Sequence, residues 1–147
     1  MLSFDTNILV YAADRRAGAK HVVASGLMEK AAQLDAGLTE QSLIEFLNVA
    51  MRKARQPLQE AAQLVSAWLS VFPLLIPNAA VVGDTLHLLG AYTLSVWDAR
   101  LLAVCAANGC HVLFSEDLQD NARYNGVRVL NPFVPRNADR ILEMARP

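Results

Sequence analysis

Two short apolar segments near the two ends of the chain constrain its fold more than any other feature. The first, residues 1–4, stops at Asp5, and the second, residues 111–114, is followed by Ser115-Glu116-Asp117. A third apolar segment, residues 127–130, lies near the end of the chain. Strands at both ends with helical segments between them predict an α/β fold, in which a mainly parallel sheet carries helices on both faces.

The segments between these strands have the composition and spacing of helices. Segment 20–36 is rich in Ala, Leu, Met and Glu, and Gly37 is expected to end it. Leu38-Thr39 is too short to be assigned as a strand. The predicted helices cover residues 7–13, 20–36, 40–55, 57–71, 79–89 and 96–108, and residues 74–76 are a candidate short strand. We expect one domain over residues 1–133 and a short tail over residues 134–147, in which 136–146 could form a docking helix or fray.

The composition narrows the possible partners and the cellular setting. Charged residues make up 18% of the chain and the formal net charge is −1, so nucleic-acid binding would need a local basic patch. No run reaches about 18 uninterrupted apolar residues, so no membrane-spanning helix is predicted. Cys105 and Cys110 lack a second Cys or His pair at zinc spacing and are interpreted as reduced core thiols. We therefore expect a soluble, cytoplasmic protein that binds no membrane.

Three acidic residues lie where simple exposure to solvent is a weak explanation for them. Asp5 and Asp117 follow apolar strands, and α/β proteins build their sites at the carboxyl ends of parallel strands. Asp98 lies near the start of a helix, at a spacing that places it with Leu101 and Leu102 on an apolar face. A carboxylate directed at a core is costly unless it is paired, hydrogen-bonded or bound to a metal.

Glu45 is the most ambiguous candidate acid. Its neighbours along the chain are apolar, but it also belongs to a polar stripe at helical spacing, which could be solvated. The stripe consists of Gln41, Glu45, Asn48 and Arg52. The other acids also have non-catalytic explanations: Asp5 as a helix cap, Asp117 as a turn residue, and Asp98 near the positive end of a helix.

A pocket in which these four acids converged would carry strong negative charge. Like charges repel, so such a pocket needs protons or cations. Oxygen ligands without His or Cys suit hard ions, which makes Mg²⁺ or Mn²⁺ the expected cofactor. The matching chemistry is metal-assisted hydrolysis of a phosphodiester.

The context of the four acids resembles the motifs of the PIN-domain family, in the family's order. The motifs are Phe4-Asp5-Thr6-Asn7-Ile8-Leu9-Val10-Tyr11, the segment 40–46 around Glu45, Ser95-Val96-Trp97-Asp98-Ala99, and Leu113-Phe114-Ser115-Glu116-Asp117-Leu118-Gln119-Asp120. Asn131-Pro132-Phe133 is also similar to this group. The resemblance covers residues 1 to about 133 and is closest to the VapC-type toxins of bacterial toxin–antitoxin pairs. It implies a three-layer α/β/α sandwich and an endoribonuclease that uses Mg²⁺ or Mn²⁺.

The resemblance also implies roles for individual residues and partners. Asp5, Glu45, Asp98 and Asp117 would be the catalytic, metal-binding acids, and Thr6, Asn7 and Ser115 would support them by hydrogen bonds. The implied partners are an RNA substrate, a cognate antitoxin protein and a second copy of the chain in a homodimer. Helices 40–55 and 57–71 could make such contacts or could pack internally. Asp120 is expected to face solvent rather than the site. Asn121 replaces the Gly of many relatives, and Asn tolerates left-handed backbone.

Basic residues form two local clusters despite the balanced net charge. The candidates for contact with RNA phosphates are Arg15, Arg16, Lys20, Arg52 and Lys53. The cluster at the end of the helix that bears Glu45, which includes Arg52 and Lys53, could instead be explained by the preference of cations for helix C-termini.

Three other kinds of protein compete with the ribonuclease interpretation. A PIN-like domain without activity would act as an RNA- or protein-binding module, although none of the four acids has been lost. A haloacid-dehalogenase-like enzyme needs a second Asp two residues after the first, and this chain has Asn7 there. A receiver domain needs a Lys after a late strand, and no Lys follows Lys53.

Overall fold

The structure, a computed structural model, describes residues 1–53 and 57–137. Its helices are α1 (Thr6–Ala13), α2 (Ala19–Ala31), α3 (Glu40–Arg52), α4 (Leu58–Leu69), α5 (Val81–Ala91) and α6 (Val96–Ala107). Its strands are β1 (Leu2–Phe4), β2 (Leu38–Thr39), β3 (Leu74–Leu75), β4 (Val112–Phe114), β5 (Arg123–Tyr124) and β6 (Val127–Leu130). The predicted end of the third helix at residue 55, and most of the possible docking helix at 136–146, lie outside the described residues.

The central sheet has the strand order β1-β4-β6-β5. Strands β1, β4 and β6 are parallel, and Ser3 is paired with Leu113, which is paired in turn with Val129. Strand β5 is antiparallel to β6 and was not predicted. The prediction of an α/β fold with a mainly parallel sheet is confirmed.

Pairing of residues 35 and 36 with β1 explains where the sequence prediction of α2 was wrong. The helix ends at Ala31, not at residue 36, because Asp35 and Ala36 pair with the first strand. The carbonyl of Asp35 accepts a hydrogen bond from the Leu2 amide at 2.8 Å, and Leu2 and Ala36 form a parallel bridge. Pairing with the sheet therefore overrides helix propensity here. The chain then enters β2, which is parallel to β3.

The parallel strands are buried on both faces, as an α/β/α sandwich requires. Val112 and Phe114 of β4 face one core, which also contains Phe4, Ile8 and side chains of α2 and α3. Leu113 faces the other core, which contains side chains of α5 and α6. Alternate residues of one short strand thus pack against the helices on opposite faces of the sheet. Packing in both cores keeps the strands in register.

The carboxyl ends of β1 and β4 lie side by side, which fixes the position of the predicted site. The backbone amide of Asp5 donates to the carbonyl of Phe114 at 2.9 Å, and the backbone amide of Ser115 donates to the carbonyl of Leu130 at 3.1 Å. In the described part of the chain, no helix is long and apolar enough to cross a membrane.

Candidate active site

Asp5 occupies the junction between β1 and α1 and is 7% exposed. Its backbone is extended, and its side chain caps the helix by accepting the Thr6 amide on Oδ1 at 2.6 Å. Its Oδ2 accepts two more hydrogen bonds, from the Ser115 hydroxyl at 2.6 Å and the Asn7 amide at 3.1 Å. The capping interpretation is therefore correct, but two of the three donors come from side chains that the resemblance assigns to the site.

The environment of Asp5 disfavours its charge. Burial raises the pKa of Asp5 from its ordinary value of 3.8 to about 6. The hydrogen bonds from Ser115 and the Thr6 amide lower this pKa, while the negative charges of Asp117 and Asp98 raise it further. Because both acids act on Asp5 through space, the structure brings these three carboxylates into one electrostatic neighbourhood.

Asn7 connects Asp5 to Asp117. Its Nδ2 donates to Asp5 Oδ2 at 3.1 Å and to Asp117 Oδ2 at 3.0 Å, so one amide spans the two acids. Asp117 is exposed, and its backbone amide donates to Ser115 Oγ at 3.2 Å. Asn7 Oδ1 is buried and lacks a hydrogen-bond partner among the described residues. The loop after β4 is thus attached to the first turn of α1 at the site.

Asp98 lies in the first turn of α6 and is partly exposed, so the expectation that its carboxylate points into a core was wrong. Its Oδ2 accepts the Ser95 hydroxyl at 2.7 Å, and its backbone amide donates to Ser95 Oγ at 3.0 Å. Ser95 is therefore the N-cap of α6 and also holds the carboxylate. Arg100, two residues further along α6, makes no salt bridge with Asp98 and reaches Gln41 on α3 instead.

Glu45 projects from the middle of α3 towards the start of α1. Its Oε2 accepts the Thr6 hydroxyl at 2.9 Å, and its Oε1 accepts the Gln41 amide at 2.9 Å. Thr6 also supplies the backbone amide that caps Asp5, so it adjoins two of the candidate acids. The alternative in which Glu45 pairs with Arg52 or Asn48 is not observed.

The four candidate acids differ from four other acids of the described chain in the kind of partner that holds them. Within residues 1–53 and 57–137, neutral donors alone contact them, with no Lys, Arg or His within salt-bridge distance. Four other acids each pair with a basic side chain, in the pairs Asp14–Arg16, Glu40–Arg100, Glu116–Lys20 and Asp120–Arg136. The negative charge of the candidate site therefore has no counter-charge from the described side chains.

The side chains are not drawn into a tight cluster. Among the described residues, no group of three or more Asp, Glu, His or Cys side chains is arranged ready to hold a metal ion. Neutral donors hold the carboxylates individually, and this spacing limits their mutual repulsion.

The candidate phosphate-binding residues fall into two groups. Lys20 Nζ donates to Glu116 Oε2 at 2.5 Å and lies 4.6 Å from the centre of the Tyr11 ring. Arg16 pairs with Asp14. The other three candidates are exposed and make no salt bridge within the described part of the chain: Arg15, Arg52 and Lys53.

Asp120 does not simply face solvent, and that expectation was wrong. Its Oδ1 accepts the Asn131 backbone amide and the Asn137 side-chain amide, each at 2.8 Å, and its Oδ2 accepts from Arg136 at 2.7 Å. Asp120 thus anchors residues 131–137 to the loop after β4. The backbone of Asn121 beside it is left-handed, with φ 66°, as its type allows.

A groove of about 730 Å³ opens beside Glu45 between α3 and α6. Its lining includes Thr6, Gln41, Trp97 and Arg100, so it reaches the candidate site from one side. From the sequence, Gln41 was assigned only to a polar stripe, and Arg100 had no predicted role. The spacing of four residues between Gln41 and Glu45 was the available signal, because such side chains are neighbours on a helix.

The chain matches a known protein family over most of its length. The family model described as "PIN domain" matches residues 3–124. The chain belongs to the PIN-domain family. No curated protein matches the chain in sequence.

Solved structures with the same fold include toxins of toxin–antitoxin pairs. A toxin–antitoxin complex from Klebsiella pneumoniae is 21% identical, with a TM-score of 0.65, and the match covers 90% of this PIN domain chain and 98% of that one. VapC20 of Mycobacterium tuberculosis, a toxin that cleaves the sarcin–ricin loop, is 18% identical, with a TM-score of 0.60 and coverage of 77% and 87%. FitAcB from Neisseria gonorrhoeae is 13% identical, with a TM-score of 0.66 and coverage of 91% and 99%.

Proposed function

We propose that this PIN domain is a metal-dependent endoribonuclease and the toxin of a toxin–antitoxin pair, acting in the cytoplasm. The observation that carries the proposal is that Asp5, Glu45, Asp98 and Asp117, which converge on the carboxyl ends of the strands and the adjoining helices, are held by neutral donors without a basic partner among the described residues. By contrast, the half-buried acids Glu116 and Asp120 pair with Lys20 and Arg136. A group of acids left without counter-charge in a family of nucleases favours a site that receives its positive charge from outside.

The residues present fit a hard divalent cation. Every candidate ligand is a carboxylate oxygen, which suits Mg²⁺ or Mn²⁺ and not a softer metal. The raised pKa of Asp5 is the expected state of a buried acid whose neighbours are negative and uncompensated. Asp5, Asp98 and Asp117 would hold the cation, with Glu45 as a further candidate. The separation of the acids is compatible with Mg²⁺, which usually keeps several waters and binds few carboxylates together with substrate phosphate.

The chemistry that a divalent cation supplies in such a site is polarisation of water and phosphate. The chain itself supplies orientation. Ser115 and Asn7 fix the direction of the Asp5 carboxylate, and Asn7 keeps Asp117 beside it. Ser95 fixes Asp98 at the start of α6. These contacts place acids from three separated segments around one surface, where they can orient a phosphodiester for in-line attack.

The deciding experiment is cleavage of total bacterial RNA by the purified wild type and by Asp98→Asn, in Mg²⁺, in Mn²⁺ and in EDTA. We expect discrete cuts by the wild type that disappear in EDTA and in the variant. Asp84→Asn is a matched control, because Asp84 also lies in the first turn of a helix but is not among the candidate acids. The control should retain full activity. Absence of cleavage by folded, antitoxin-free wild type in both metals would instead support the inactive binding module.

Two protein partners belong to the same proposal. Three of the similar solved structures are VapBC2 from Rickettsia felis, VapBC from Salmonella typhimurium and FitAB, and each of them is bound to DNA. This chain exposes apolar side chains that a partner would cover, among them Ile44, Val82, Leu86 and Trp97, each more than half exposed. We expect a homodimer by light scattering, and co-purification with an antitoxin encoded beside this chain. A monodisperse monomer that binds no neighbouring gene product would contradict this part of the proposal.

A further inference from the structure

The side-chain amide of Gln41 connects two candidate acids that lie far apart in sequence. Gln41 is 7% exposed and lies in the first turn of α3. Its Nε2 donates to Glu45 Oε1 at 2.9 Å and to the carbonyl of Trp97 at 3.0 Å. Its Oε1 accepts Arg100 Nη1 at 2.7 Å. Both amide hydrogens and the amide oxygen are therefore used.

Arg100 determines which way this amide faces. A guanidinium has only donors, so the oxygen of Gln41 must face Arg100 and the NH₂ must face Glu45. The opposite orientation would place the amide oxygen against a carboxylate and a backbone carbonyl, with three acceptors facing one another. Arg100 is itself held at its other nitrogen by Glu40 Oε2 at 3.1 Å. The polarity of the amide is thus set by the network of hydrogen bonds.

The consequence is a two-point attachment of Glu45. One carboxylate oxygen accepts the Gln41 amide and the other accepts the Thr6 hydroxyl. The terminal torsion of a Glu side chain is otherwise broad, so two donors on different oxygens select one orientation. The bond from Gln41 to the Trp97 carbonyl also fixes α3 against the turn that bears Asp98.

We propose that Gln41 is a positioning residue for Glu45, and that Arg100 acts through Gln41 by setting the polarity of its amide. The part of this inference that concerns cleavage rests on the proposed ribonuclease function. Gln41 touches no reacting atom in this scheme. It keeps Glu45 directed into the groove that also exposes Thr6 and Trp97.

The test is steady-state cleavage of an RNA substrate by Gln41→Met, which keeps the length of the side chain and removes its polar atoms. We expect kcat to fall by about 10-fold to 100-fold, the range in which misplacement of a catalytic group acts, while KM changes by less than about twofold. Arg100→Met should lower kcat in the same way. Arg100→Lys keeps a donor for the amide oxygen and should recover most of the activity.

A double-mutant cycle separates positioning from a general loss of structure. In a Glu45→Gln background, Gln41→Met should lower kcat by less than about a further twofold, because the effects of residues that act as a unit are not additive. Gln63→Met is the matched control, since it makes the same change at an exposed position on α4. The control should leave kcat unchanged. Independent, multiplicative losses from Gln41→Met and Glu45→Gln would overturn the inference.

Crystal structures of the full chain keep the inference testable without activity. In folded Gln41→Met, the Glu45 carboxylate should leave its wild-type position or lose its bond to Thr6. An unmoved Glu45 carboxylate would overturn the inference. Wild-type protein that cleaves no RNA in Mg²⁺ or Mn²⁺ would refute the proposed function alone, and the position of Glu45 in the variant would still decide the role of Gln41.

Discussion

Replacement of Asp5 by Asn should make the protein more stable at neutral pH, although it removes a candidate catalytic group. The reason is the raised pKa of Asp5, which is about 6 in the folded protein against an ordinary value of 3.8. The folded chain therefore keeps a proton on Asp5 at pH values where the unfolded chain has lost it. Each unit of pKa shift corresponds to about 1.36 kcal/mol, so a shift of about two units costs about 3 kcal/mol of stability once the carboxyl is ionised.

The pH window follows from these two pKa values. Well below the unfolded pKa of 3.8, at about pH 2–3, both states are protonated, and Asp5 makes no pH-dependent contribution. Between about pH 4 and pH 6 the folded state binds more protons than the unfolded state, so the free energy of unfolding falls as the pH rises. Above the folded pKa the loss is complete and constant. Asn at this position does not titrate, so the variant should lack this part of the pH dependence.

The absolute stability of Asp5→Asn also depends on its hydrogen bonds. Asn can still cap α1 through its oxygen, and the Ser115 hydroxyl can rotate to accept from its amide. The Asn7 amide, which donates to Asp5 Oδ2 in the wild type, would then face another donor. Such a mismatch costs about 1–2 kcal/mol. We therefore expect a net gain of about 1–2 kcal/mol at pH 7.5 and a loss of similar size at pH 4.

The assay is urea unfolding of wild type and Asp5→Asn in EDTA at pH 4.0 and pH 7.5, followed by circular dichroism. The diagnostic quantity is the change in the stability difference between the two pH values, from which the hydrogen-bond cost cancels. It should be about 2.5 kcal/mol, because an unfolded Asp of pKa 3.8 is already more than half ionised at pH 4.0. Asp84→Asn controls for the loss of an acid near a helix start. Equal stability differences at the two pH values would refute the argument that Asp5 is buried at an energetic cost.

Metal binding, hydrogen bonding to Asp5 and the backbone of one turn each give a further test. At pH 7.5 without RNA, Mn²⁺ should raise the melting temperature of the wild type and not that of Asp98→Asn; equal shifts would argue against Asp98 as a ligand. Ser115→Ala removes a bond that lowers the pKa of Asp5, so the pH profile of kcat/KM should move to higher pH, and an unmoved profile would separate Asp5 from the measured step. Gly126→Ala, at φ 85°, should destabilise the chain by about 1–2 kcal/mol in urea unfolding, whereas Gly26→Ala, which meets no neighbour inside α2, should stabilise it by about 0.5–1 kcal/mol. Effects of the same sign at the two glycines would contradict the assigned backbone geometry.

The parts of the fold that local signals determine could be predicted from the sequence. Helix α6 lies where its Ser95 cap and the following Gly109 place it, and β6 occupies the predicted segment 127–130. Strand β5 was missed although its signal was present. Asn125-Gly126 is the dipeptide most typical of a tight hairpin, and both residues have positive φ, 46° and 85°. The end of α2 could not be predicted from local signals, because it depends on the pairing of Ala36 with Leu2, which is distant in sequence.

The same distinction between local signals and long-range contacts applies to the candidate site. The positions of Asp5 and Asp117 after strands are local features, and the sequence placed them at the edge of the sheet where they lie. The burial of Asp98 was predicted wrongly, because helical spacing gives the face of α6 but not what covers it. Gln41 and Arg100 were missed for a related reason. Their bond joins residues 59 positions apart, and only the packing of α3 against α6 brings them together.

Which acids of the chain are candidates for chemistry depends on partners that sequence spacing cannot supply. Glu116 and Asp117 are adjacent, and both follow β4, so a local pattern does not separate them. In the structure, Glu116 is neutralised by Lys20, which lies 96 residues earlier, while the Asp117 carboxylate is contacted among the described residues only by the Asn7 amide. The two acids therefore differ in charge balance: Lys20 balances the charge of Glu116, whereas the Asn7 amide is neutral and leaves the charge of Asp117 unbalanced. For the buried Asp5 the lack of a counter-charge costs stability in the free protein, and a bound cation would offset that cost. If the proposed cation binds, the arrangement that raises the pKa of Asp5 would also favour its binding.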